Sequence, residues 1–71
     1  MDFKTAAATR MPFGKYQGET LDAIARSDDG LRYLDWLRGM TWVKANLAGA
    51  LAAYLEDPAI AEDVTRVVKR G

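Results

Sequence analysis

Apolar residues recur at helical spacing through most of the chain after residue 20. Tyr33, Trp36, Leu37 and Met40 follow i, i+3, i+4, i+7, and Leu34 widens the stripe. This predicts a helix over about 29–39 that is apolar on more than half of its circumference, with Trp36 in the core. Gly39 ends it. Thr41 is placed to cap a following helix over about 42–56, in which Val43, Leu47, Leu51 and Leu55 recur every fourth residue. Ala45, Ala48, Ala52 and Ala53 let neighbouring helices approach closely. Asp57-Pro58 is a strong helix start, with Asp as cap and Pro where its missing N–H costs nothing, and predicts a terminal helix over about 58–69. Its stripe is Ile60, Val64, Val67 and Val68, with Glu62 and Asp63 early and Arg66, Lys69 and Arg70 late, as the helix dipole favours.

Upstream the pattern is shorter. Thr20 can cap a helix over about 21–26 carrying Leu21, Ile24 and Ala25 on one side. Ser27-Asp28-Asp29-Gly30 breaks it, and Asp28 or Asp29 can cap the next helix. Residues 9–13 should be extended, because Pro12 pushes its predecessor out of the helical region. Gly14 and Gly18 bracket Lys15-Tyr16-Gln17, a spacing suited to a tight reversal, so a β-hairpin is expected over about 10–20. Residues 1–8 are expected to form a flexible arm or the start of an edge strand. The reading is an α+β fold, mostly α: a short N-terminal β-hairpin packed on three to four helices, in one small domain spanning 9–71.

Composition narrows the setting. The chain has no Cys and no His, which removes disulfides, thiolate metal sites and the usual nucleophilic triads, and a reducing cytoplasm is expected. The stretch from Ala45 to Leu55 is too short to span a bilayer, and the N-terminus lacks the apolar run of a targeting segment. No membrane partner and no cofactor are expected.

Ten basic and ten acidic residues cancel, but unevenly along the chain. Residues 1–18 hold Lys4, Arg10 and Lys15 against Asp2, while residues 19–35 are predominantly acidic. Arg10, Lys15, Arg32, Arg38 and Lys44, with Tyr16 and Trp42, have the composition of a face that holds phosphates and stacks bases. The plainer reading makes Arg32, Arg38 and Lys44 solvated positions paired with Asp28, Asp29 or Asp35. Trp42, at a helix start, is divided between core packing and a surface anchor. A metal site built from Asp22, Asp28, Asp29 and Asp35 is the weakest of the options, since capping and solvated faces explain these carboxylates.

The stretch Met11-Pro12-Phe13-Gly14-Lys15-Tyr16-Gln17-Gly18-Glu19-Thr20-Leu21, then Asp28 to Gly30, then Tyr33-Leu34-Asp35-Trp36-Leu37, resembles the small C-terminal domain of exodeoxyribonuclease X-like exonucleases. It is also similar to short stand-alone bacterial and phage proteins of a quorum-sensing-regulated virulence factor group. The resemblance covers roughly residues 9–38, with a looser fit of the following helix, and leaves the terminal helix outside. In the exonucleases the catalytic carboxylates belong to a separate domain with no counterpart here. The resemblance therefore implies a non-catalytic accessory module of DNA processing, phage-encoded. Such a module would contact nucleic acid, or a nuclease or replication complex, through Arg10, Lys15, Tyr16 and Gln17, with Arg32 and Lys44 in support. Gln17 departs from the basic residue that many relatives carry. The alternative is a protein-interaction module, such as a phage modulator of a host enzyme, that uses Trp42 and helix surfaces. Either is expected as a monomer or weak homodimer.

Overall fold

The computed structural model describes residues 2–70. Among them the chain forms five helices: α1 (Phe3–Ala7), α2 (Leu21–Ile24), α3 (Asp28–Arg38), α4 (Ala45–Leu55) and α5 (Pro58–Arg70). A single 3₁₀ turn, Gly14–Tyr16, lies between α1 and α2. No strand occurs among the described residues, so the expected mixed α+β class gives way to an all-α globule.

The expected hairpin is reduced to one antiparallel bridge, Arg10 with Thr20. Met11 is the pin of this reversal. Its N–H donates to the Glu19 carbonyl at 2.8 Å, its carbonyl accepts from the Gly18 N–H at 2.9 Å, and its side chain is 1% exposed. Pairing stops there for two reasons. Pro12 has no N–H for a further rung. Gly14 and Gly18, at φ +77° and +86°, coil the intervening residues into the 3₁₀ turn, which Gln17 closes by donating to the Gly14 carbonyl. The segment expected as a loose arm is instead helical. Asp2 accepts from the Thr5 N–H at 2.8 Å, which caps α1; hydrogen bonding by the Thr5 side chain, then by this N–H, holds the Asp2 carboxyl below its usual range, and Ala6 is buried.

Helix α4 is central and packs against α1, α3 and α5. Leu47, Ala50, Leu51, Tyr54 and Leu55 are its buried residues, at i, i+3, i+4, i+7, i+8. It begins at Ala45, three residues later than expected. Lys44, without a side-chain hydrogen bond, takes the cap position assigned to Thr41. Residues 41–44 turn outside the helix because Val43 packs on the core while the Trp42 ring lies on Phe13 and Trp36. At the other end Asp57 accepts from the Ala59 and Ile60 N–H groups and starts α5. Val64 and Val67 of α5 are buried, whereas Val68 is exposed.

The main correction concerns α3. Its buried residues are Gly30, Leu31, Leu34 and Leu37, and Trp36 is 52% exposed, not in the core. Successive residues are about 100° apart on a helix, so once Leu37 faces inward Trp36 stands well round to the side. The cap is Ser27, whose Oγ accepts from the Gly30 N–H at 3.0 Å; Asp28 and Asp29 instead occupy the first turn, where the dipole favours them. Gly30 sets the rotation. A Cβ there would lie 1.8 Å from the Ile24 carbonyl oxygen at the end of α2. Among the described residues no helix is long and apolar enough to cross a membrane.

Two predictions test this packing. Gly30→Ala forces α2 and α3 apart and should lower stability by roughly 3 kcal/mol or more, read from urea denaturation. The second concerns Tyr54, whose side chain is buried and donates to Asp22 at 3.1 Å. Burial foremost, then this hydrogen bond and the negative charges of Asp22, Asp57 and Asp63, push its hydroxyl well above the ordinary tyrosine range. With the folded value above the unfolded one, the stabilisation is complete below pH of about 10 and is lost as the pH rises beyond it. Tyr54→Phe should cost about 1 kcal/mol at neutral pH. Its urea midpoint should then fall less steeply than wild type on the alkaline side.

Candidate functional site

The side chains displaced from the core by the rotation of α3 meet those raised by the 3₁₀ turn. Tyr16 packs on Tyr33 with ring centroids 5.0 Å apart, and Tyr33 on Trp36 at 5.9 Å. Trp36 meets Trp42 edge-on at 6.2 Å, and Trp42 meets Phe13 at 5.6 Å. Five rings from three separate segments thus form one continuous run. Its inner members, Phe13, Tyr16 and Tyr33, are half-buried against the core, while Trp36 and Trp42 are 52% and 57% exposed. Gly14 permits the close approach of the turn to α3, since the Tyr33 hydroxyl lies 3.1 Å from where a Cβ would stand.

The expected basic face is divided in two. Lys15, Tyr16 and Arg32 line one open hollow of about 320 Å³ together with Asp29, Tyr33 and Trp36. The Lys15 ammonium lies 5.6 Å from the centre of the Tyr16 ring. Arg32 faces Asp29 at 3.9 Å, and Arg38 pairs with Asp35 at 2.6 Å, both at exposed positions where such pairs contribute little. Arg10 and Lys44 lie on the other side of the ring run, around a hollow shared with Thr9, Pro12, Asn46 and Leu47. Trp42 is a surface residue, and with Phe13 and Lys44 it lines a third hollow. Gln17 is exposed and lines none of these three; its backbone serves the turn. Arg10 also braces the turn, Nη1 donating to the Gly18 carbonyl at 2.6 Å.

Tyr33 and Trp36 belong to the site although the periodicity put them on the apolar stripe, Trp36 in the core. The available signal was the breadth of the α3 stripe: a helix apolar over more than half its circumference cannot bury all of it against a core of this size. Among the described residues no three acidic side chains gather as a metal site requires. Asp22 accepts from Tyr54, while Asp29 and Asp35 pair with arginines.

Fold and surface together define a small all-α module that presents aromatic rings flanked by basic side chains. The family model described as "Putative quorum-sensing-regulated virulence factor" matches residues 1–59, and the chain belongs to that family. The match extends beyond residues 9–38, running through α4 to the first residues of α5, and it carries no link to the exonucleases. No curated protein and no solved structure matches the chain.

The exposed indoles should act as a coupled pair. Trp36→Ala and Trp42→Ala are each expected to cost about 1–2 kcal/mol of stability, because roughly half of each ring is already in water. A double-mutant cycle in urea should show about 0.5–1.5 kcal/mol of coupling between them.

Proposed function

We propose that this protein is a non-catalytic, cytoplasmic accessory module of DNA processing that holds single-stranded nucleic acid on the Tyr16, Tyr33 and Trp36 rings. The observation that carries this reading is the ring run with Lys15 and Arg32 beside it. Bases stack on exposed aromatic faces irrespective of sequence, and neighbouring cations hold the phosphates. A duplex hides its base faces, so the preference is for single strands. The resemblance of residues 11–21 and 33–37 to the exonuclease-associated domain supports the same reading.

The placement of charge supports it too. The carboxylates Asp22, Asp57 and Asp63 act on Tyr54 near the end of α4, whereas Lys44 stands at its start. Asp29 is the carboxylate that lines the ring hollow, and Arg32 faces it. Arg32 can exchange its exposed pairing with Asp29 for a phosphate at little cost.

Titration of the intrinsic tryptophan fluorescence with a short oligothymidylate at low salt tests the proposal. Single-stranded DNA should quench the emission and a duplex of equal length should do so far less. Trp36→Ala should weaken binding by about fivefold or more, and affinity should fall steeply as salt rises. Absence of quenching at micromolar protein removes the proposal.

A further inference from the structure

The two hollows on the far side of the ring run are one groove. The first, about 340 Å³, lies among Phe13, Pro12, Trp42, Lys44 and Leu47, and the second, about 400 Å³, continues over the shared Pro12, Lys44 and Leu47 to Arg10. We propose that this groove is a second binding site, independent of the nucleic-acid platform, that takes an acidic peptide segment of a protein partner. An apolar side chain of the peptide would lie against Phe13, Trp42 and Leu47, and an adjacent carboxylate between Lys44 and Arg10.

Charge complementarity selects this occupant. Lys44 and Arg10 are the charged residues of the groove lining, which includes no carboxylate. Among the described residues neither has an ion-pair partner. Arg10 is held in place by its bond to the Gly18 carbonyl, and a guanidinium keeps further N–H donors in a fork that matches a carboxylate. Lys44 is a poor residue for stability where it stands. It is a cation at the positive end of α4, in a cap position that Ser, Thr or Asp would fill with a hydrogen bond. Its position makes sense as a contact to an external anion. The floor of Pro12 and Leu47 is aliphatic and offers an apolar side chain a seat, not a base a stacking surface. Thr9 and Asn46 at the rim can bond a peptide backbone.

The test is an NMR titration of the ¹⁵N-labelled full chain with a synthetic peptide in which a leucine-phenylalanine pair adjoins two aspartates. Saturable shifts of the Leu47 amide and the Trp42 indole N–H are expected. Lys44→Glu should weaken binding at least about tenfold. The substitution places an anion where the helix dipole favours one, so the fold should persist, as circular dichroism will show. Arg32→Ala, at a side chain that lines the ring hollow and not the groove, should leave the peptide affinity within about twofold while reducing oligothymidylate binding, which separates the two sites. The proposal is overturned if no saturable shift appears, or if a peptide with lysines in place of the aspartates binds equally well. It is also overturned if oligothymidylate moves the same groove resonances and displaces the peptide, which assigns the groove to nucleic acid.

Discussion

The architecture turns on the contact between Gly30 and the Ile24 carbonyl. Only a residue without a side chain lets the end of α2 press onto the first turn of α3, since a Cβ would lie 1.8 Å from that oxygen. The contact fixes the rotation of α3 about its axis. With Gly30 against α2, Leu31, Leu34 and Leu37 point inward, and Tyr33 and Trp36 are carried to the flank. Ser27 reinforces the choice by accepting the Gly30 N–H. A helix with two competing apolar stripes is thereby committed to one of them, and the other becomes surface.

That surface is completed by the segment that Met11 anchors. Its two backbone bonds and buried side chain hold the 3₁₀ turn so that Tyr16 reaches Tyr33 and Phe13 reaches Trp42. The ring run is therefore supported from below by the core and from the side by the turn. Such support matters for binding, because rings already held in place lose little freedom when a ligand arrives. Large exposed indoles are common among the residues through which proteins make contacts.

Electrostatics run against stability in the same region. Lys44 lies at the end of α4 that prefers anions, whereas near the other end Asp57 caps α5 and Asp22 accepts from the Tyr54 hydroxyl, placements that stabilise. The placement of Lys44 costs a few tenths of a kcal/mol to about 1 kcal/mol. Selection for folding alone would remove the lysine at no structural expense, by substitution at this exposed position. The basic side chains flank the rings in two groups, Lys15 and Arg32 with Asp29 in one hollow and Arg10 with Lys44 in another.

Much of the helical framework follows from local chemistry. Thr20 and Asp57 cap where a hydroxyl or carboxylate can reach free N–H groups, Pro58 opens a helix, and the recurrence of Leu47, Leu51 and Leu55 marks the buried face of α4. These signals act within a few residues, so they are legible without the fold. The reversal at 11–18 was legible as a turn but not as a 3₁₀ turn, because a glycine's choice of positive φ depends on what it must accommodate. The tertiary structure alone decided which stripe of α3 is buried, since that depends on Gly30 meeting a carbonyl in another helix. It alone also brought Phe13, Tyr16, Tyr33, Trp36 and Trp42 into one run and separated Lys15 and Arg32 from Arg10 and Lys44. Spacing along a sequence fixes which residues can share a helix face, and packing between helices determines which face water sees.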